Sequence, residues 1–210
     1  MNKIILSILL LFSLQNVAQR ATWNKLGTAE KFWVFTHPFS AKKAHRLSQH
    51  AMEALDSLKK ESYFTYNTNS GSRADALRHC YWMSLLSVHI GPKRALCLGR
   101  AHEKKNRKDF EKGSLEEGFL PDSVAITMDL KNNKVGAELG ILFKKFTNDQ
   151  LLKVSINQLI VGNLYFVKQN RDGLFLSIEE QVIPNDEWNG KWKNERVLVP
   201  TNWPINQIQN

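Results

Sequence analysis

Cysteine, long apolar runs and acidic residues are all scarce in this sequence. Its 210 residues hold two cysteines, Cys80 and Cys97, which excludes a disulfide scaffold and leaves room for one bridge at most. Both lie in apolar, helix-like runs, where a buried free thiol is common. If those runs fold back at Gly91, the two cysteines are staggered by about 7 Å along the helix axis. That is the limit of what a bridge spans, so pairing stays open.

The first apolar run, "IILSILLLFSL" at residues 4–14, is short of the roughly 20 residues a membrane-crossing helix needs. Behind Lys3 and ahead of small and polar residues it has the length of a signal-peptide core, so residues 1–19 are predicted to be a cleaved secretion signal. No cysteine follows it, as a lipoprotein would require. Asp and Glu number 20 against 29 Lys and Arg, for a net charge of +9 and a pI near 9.6. Such a balance suits an anionic partner, either an envelope component or lipid with peripheral membrane contact, although solubility alone accounts for the same charge. The alternating aromatic and basic residues of a nucleic-acid surface are missing, so no nucleic acid is expected as partner. Gly-x-Ser-x-Gly, His-Glu-x-x-His and P-loop spacings are absent too, which argues against the familiar serine hydrolases, zinc peptidases and nucleotide hydrolases.

What is present reads as one mainly α domain: a single-domain helical bundle with antiparallel helical hairpins and a less regular C-terminal tail. Hydrophobic residues make up 42% and there are six tryptophans, enough for a real core over this length. The expected divisions are the signal at 1–19, a helical domain at 20–165 and a C-terminal extension at 166–210 packed on the same domain. Residues 28–60 read as helix interrupted at His37-Pro38, with Ala44, Leu47, Ala51, Ala54 or Leu55, and Leu58 at helical spacing. Residues 62–73 read as a polar loop. Leu77, Tyr81, Leu85 and Val88 mark the next helix, and Gly91-Pro92 supplies a stop and a start. Residues 104–118 read as an exposed charged loop, a third helix of this set runs from about Ser123 to Lys145, and a fourth from about Asn148 to Gly162. Beyond it, Asp-Gly and Asn-Gly turn signals and three tryptophans point to a hairpin or an irregular wrap.

The informative stretch is "ADALRHCYWMSLLSVHIGPKRALCLGRAHE". Asp75 and His79 are four apart and share a helix face. His79 lies twelve residues before Gly91 and Glu103 twelve after it, so an antiparallel hairpin brings His79 level with His102 and Glu103. On the third helix Asp129, Asn132 and Asn133 share one face, followed by Gly136 and Gly140, where another helix can come close. Three helices can thus aim Asp75, His79, His102, Glu103, Asp129 and Asn133 at one point. Burying such groups is costly unless they are paired or bind a metal. A purely structural polar network is the alternative.

"DALRHCYW", "AHE" and "MDLKNN" with its following Val-Gly step resemble a bacterial domain family of unknown function with the pattern D-A-x-R-H-x-x-W, A-H-E, M-D-L-x-N-N-x-x-G. Its members are exported proteins and terminal domains of secreted toxins. The resemblance covers about residues 65–145 and implies that Arg78, His79, Trp82, His102, Glu103, Asp129, Asn132 and Asn133 occupy motif positions. Lys131 departs from a frequent histidine. No established reaction comes with the resemblance.

The residues support hydrolysis. His79, Glu103, Asp129 and His102 are the candidate catalytic groups, with His79, Glu103 and Asp129 as candidate ligands for Zn²⁺, Mn²⁺ or Ca²⁺. Without a metal, His79 would act as a base oriented by a carboxylate. Arg78 suits a phosphate, and Asn133, Asn132, Asp75 and Trp82 complete the candidate substrate side. The expectation is an exported hydrolase of a phosphoester or related bond in lipid or envelope material. The alternative is a secreted binding module for membrane or glycan whose polar cluster is structural.

Overall fold

The computed structural model describes residues 23–58, 70–115 and 119–204. The expected secretion signal lies outside these residues, as does most of the expected polar loop, positions 62–69. The described elements are helices α1 (Thr28–Thr36), α2 (Pro38–Leu58), α3 (Arg73–Ile90), α4 (Pro92–Glu111), α5 (Ser123–Leu142) and α6 (Asn148–Val161), then strand β1 (Tyr165–Val167), a single turn α7 (Asn185–Trp188) and strand β2 (Leu198–Pro200). The architecture is mainly α, as expected. The strands form one antiparallel pair with Phe166 opposite Val199. No helix among the described residues is long and apolar enough to cross a membrane.

The core is built around α3, which packs against α2, α4, α5 and α6. It is apolar on most sides: Leu77, Cys80, Tyr81, Met83, Leu85 and Leu86 are all buried, as suits a helix surrounded by others. On α2 the buried positions are Ala44, Leu47, Ala51 and Leu55, the stripe the sequence predicts. Gly91 closes the α3–α4 hairpin with φ of 89°, a conformation glycine adopts without strain, and Pro92 starts α4. Both cysteines are free, Cys80 buried and Cys97 exposed.

One expectation fails. The charged stretch predicted as loop from 104 is helical to Glu111. Lys105 bonds Asp109 at 2.5 Å and Arg107 bonds Glu111 at 2.8 Å, i,i+4 pairs that hold a charged helix, while Asn106 and Glu103 face inward.

Helix α5 meets α3 at two glycines. A Cβ at Gly136 would fall 2.1 Å from the Cys80 carbonyl oxygen, and one at Gly140 2.7 Å from that of Ser84. Both helices advance by four residues between these contacts, so they run parallel. The same register brings Asp129 and Asn133 to the level of Asp75 and His79. The tail wraps this end of the bundle. Its own cluster joins Phe166, Val167, Phe175, Ile183, Trp188 and Val199 to Met128 of α5.

Candidate functional site

Asp75 occupies the first turn of α3, where two local bonds fix it. The Ser72 side chain accepts from the Asp75 main-chain N–H, and Asp75 Oδ2 accepts from Gly71 N at 2.7 Å, a cap that holds the first turn. The other oxygen, Oδ1, accepts from Arg78 at 2.6 Å and lies 3.5 Å from His79 Nε2. Asp129 Oδ1, from α5, lies 3.4 Å from the same nitrogen. The opposite ring nitrogen, Nδ1, is 3.3 Å from Asn133 Oδ1. All four residues are buried.

This arrangement has a chemical consequence. With Nδ1–H donating to the Asn133 carbonyl, Nε2 carries the ring's lone pair and faces two carboxylate oxygens. Ligand atoms of Asp75, His79 and Asp129 all lie within 4.8 Å of one another. Tetrahedral ligands at 2.0–2.1 Å from a zinc ion stand about 3.3 Å apart, close to the two separations at Nε2. Burial pushes the His79 pKa well below its ordinary value; Arg78 and His102 push the same way, and the Asn133 bond opposes them. A neutral imidazole beside two carboxylates is a cation-ligand set.

His79 and Arg78 also line a pocket of about 570 Å³ walled by α1, α2, α3 and α4, within the range of small-molecule sites. Most of its wall is apolar: Trp23, Leu26, Trp33, Val34, Ala44, Ala51, Met52 and Leu98. The polar groups gather near His79. Trp82 meets the rings of His79 and His102 edge-on, at centroid distances of 6.2 and 6.0 Å, and donates its indole N–H to Ser48 Oγ at 2.8 Å. His102 stands 6.4 Å from His79, ring centre to ring centre, so the hairpin brings these two level as its spacing predicts.

The residue that sequence reasoning missed is Glu30. Its Oε1 lies 3.0 Å from His102 Nδ1, and its Oε2 accepts from Gly27 N at 2.7 Å. It is buried and belongs to the pocket wall. A carboxylate on Nδ1 fixes the ring's tautomer and orients it, which is how a histidine is prepared as a general base. The only signal in the sequence is an acid within an otherwise basic, aromatic helix, and its partner is 72 residues away.

Other expected site residues divide. Glu103 is buried and accepts from Asn106 at 3.2 Å, but it is Asp75, not Glu103, that completes the triad with His79 and Asp129. Asn132 points away from the pocket and clamps the main chain of Tyr165, donating to its carbonyl at 2.8 Å and accepting from its N–H at 2.9 Å. Its place is structural, because both ends of the amide are used. Asn133 is set between His79 and Gly99, and its Nδ2 has no hydrogen-bond partner among the described residues.

Residues 31–162 match the sequence profile of a family described as a domain of unknown function (DUF6973). The match takes in Asp75, His79, His102 and Asp129; Glu30 stands one residue before it. No curated protein and no solved structure matches the chain.

Proposed function

The chain belongs to the DUF6973 family of unknown function, and from the site it builds we propose that it is an exported, metal-assisted hydrolase of a phosphoester attached to an apolar chain. The observation that carries this reading is the convergence of Asp75 Oδ1, His79 Nε2 and Asp129 Oδ1 behind a pocket wall that also presents Arg78 and the Glu30–His102 pair. Zn²⁺ and Mn²⁺ suit a set of one imidazole and two carboxylates; Ca²⁺ suits it less, preferring six to eight oxygens. A bound ion would supply Lewis acidity toward the ester. His102, held by Glu30, takes the proton of the attacking water as the water oxygen bonds to phosphorus. The scissile P–O bond breaks and its oxygen leaves with the proton that His102 took from the water, which returns the imidazole to its neutral form. Arg78 offers its guanidinium to the phosphate, as that fork geometry favours, and the apolar wall takes the chain.

The test is calorimetric titration of the purified chain with Zn²⁺ and Mn²⁺, paired with phosphate release from phosphatidic acid. We expect one ion per chain, turnover abolished by a chelator and restored by the ion, and a loss of about 10²–10⁴-fold in His102→Ala, the usual worth of a general base. Neither binding nor turnover in the wild type would overturn the reading.

A second reading is favoured by the orientation of His79, both of whose nitrogens face buried oxygens rather than the pocket. The polar cluster would then be structural, and the protein a binding module for membrane or glycan. In that case His79→Ala costs about 3 kcal/mol through the cavity it leaves and the loss of its bond to Asn133, with no hydrolysis in the parent.

A further inference from the structure

The elbow between α1 and α2 carries three exposed phenylalanines. Phe32 is 68% exposed, Phe35 81% and Phe39 97%. Aromatic side chains left this open, close together in the chain, mark an interaction surface rather than scattered surface apolarity. Phe32 and Phe35 are three apart on α1, one face of that helix. Phe39 opens α2 after Pro38 and shares a face with Lys42, Lys43 and Arg46, the i, i+3, i+4, i+7 series of one exposed stripe; all three basic residues are exposed.

Charge decides among partners. Residues 23–52 contain five Lys and Arg (Lys25, Lys31, Lys42, Lys43, Arg46) and one acid, Glu30. That acid is buried against His102, so the exposed charge from Trp23 to Met52 is all basic, and the first exposed acid is Glu53, two turns beyond Arg46. A second copy of the chain would oppose this stripe to itself, like charge on like. We propose that the α1–α2 elbow docks on an anionic phospholipid bilayer, the phenylalanines entering the interface and the lysines meeting phosphate headgroups. This is the composition of a peripheral membrane surface: aromatic groups seated at the acyl boundary, with a basic flank drawn to anionic lipid. The docking stripe is separate from the pocket: Phe32 and Phe35 lie on the side of α1 away from Glu30, Trp33 and Val34, and Phe39, Lys42, Lys43 and Arg46 on the side of α2 away from Ala44, Ser48 and Ala51, which line it.

The surface stands independently of hydrolysis, and its test reads binding alone. The wild-type chain is mixed with vesicles of phosphatidylcholine and phosphatidylglycerol at 70:30, and with vesicles of pure phosphatidylcholine, and bound protein is measured by co-sedimentation. Two variants are carried alongside, Phe35→Ser/Phe39→Ser and Lys42→Glu/Lys43→Glu, all at exposed positions whose folding is checked by circular dichroism. We expect binding to the anionic vesicles that weakens in high salt, and at least a ten-fold weakening in each variant, since each lysine near an anionic surface contributes roughly five-fold and each phenylalanine removed from water roughly ten-fold or more. Wild type that ignores anionic vesicles, or variants that bind as wild type does, overturns the proposal. So does a wild-type dimer in light scattering that the phenylalanine variant dissolves, which would assign the surface to a second copy.

Discussion

At the scale of single residues, two adjacent asparagines on α5 have opposite tasks. Asn133 meets His79, while Asn132 closes two hydrogen bonds on the Tyr165 main chain. Truncating Asn132 to Ala leaves the half-buried N–H and carbonyl of Tyr165 without these partners, and about 1–3 kcal/mol should be lost in urea denaturation, with metal binding unchanged. For His79 the linkage runs through protons. Its pKa in the fold lies below the unfolded 6.5, so as pH falls through 6.5 the unfolded chain takes up a proton that the folded chain refuses. The stability tied to this group is therefore complete above about pH 6.5 and declines below it. Denaturation at pH 7.5 and 5.0 should show a smaller difference in His79→Gln than in the wild type; an equal difference would place the sensitivity elsewhere. Asp75 and His79 were legible in the sequence because a four-residue spacing puts them on one helix face, and Asp129 because it shares a face with Asn133 ahead of Gly136 and Gly140, where another helix can come close. Glu30 was not, since nothing local pairs it with His102, and Glu103 was named a ligand because spacing gives height along a helix but not which side chain reaches the centre.

At the scale of elements, what specifies the site is the closeness of α3 and α5. Gly136 has no room for a methyl group, the nearest atom being main-chain oxygen rather than a movable side chain. Gly136→Ala should separate the two helices and cost about 3 kcal/mol, at the upper end of overpacking penalties. It should also weaken Zn²⁺ or Mn²⁺ binding, because Asp129 would withdraw from His79. Gly91→Ala is the contrast: a Cβ there meets nothing within 4 Å, so its cost is backbone strain alone, about 1–3 kcal/mol at φ 89° and ψ 145°, with the α3–α5 spacing and metal binding unchanged. Binding unaffected by Gly136→Ala in a folded protein would show that helix spacing does not set the site. The hairpin, the interrupted α1–α2 pair and the helix starts at Ser123 and Asn148 were all readable from proline, glycine and apolar period. The last two turns of α4 were not, because charge there signals exposure while the i,i+4 pairs holding it as helix leave no apolar period.

At the scale of the whole molecule, the tail after α6 is what the sequence described least, since its contacts are long-range and follow no period. Leu164, Phe166 and Val167 are fully buried. Thr201 Oγ1 donates to the Leu159 carbonyl at 2.6 Å, and Arg73 at the start of α3 donates to the carbonyls of Thr201 and Trp203. Most telling is Asp122, which caps α5 by accepting from Val124 N at 2.9 Å and Ala125 N at 3.0 Å, while its second oxygen is held by the tail residues Arg196 and Asn194. Arg196 is itself buried between the rings of Phe175 and Trp188, which burial marks by lowering its pKa to about 10. The family match ends at residue 162, so the matched region by itself leaves out the cation that neutralises the cap of its own α5. A fragment ending at Gly162 is therefore expected to lose cooperative unfolding and to bind hydrophobic dye, as a bundle with Met128 uncovered and Asp122 unpaired would. Arg196→Ala in the full chain should cost about 3–5 kcal/mol, the usual result of removing one partner from a buried ion pair. Arg196→Ala/Asp122→Asn, which removes both charges and keeps the capping oxygen, should recover a large part of that loss. A fragment ending at Gly162 that melts cooperatively near the temperature of the full chain would show instead that the tail is an addition to a bundle already complete.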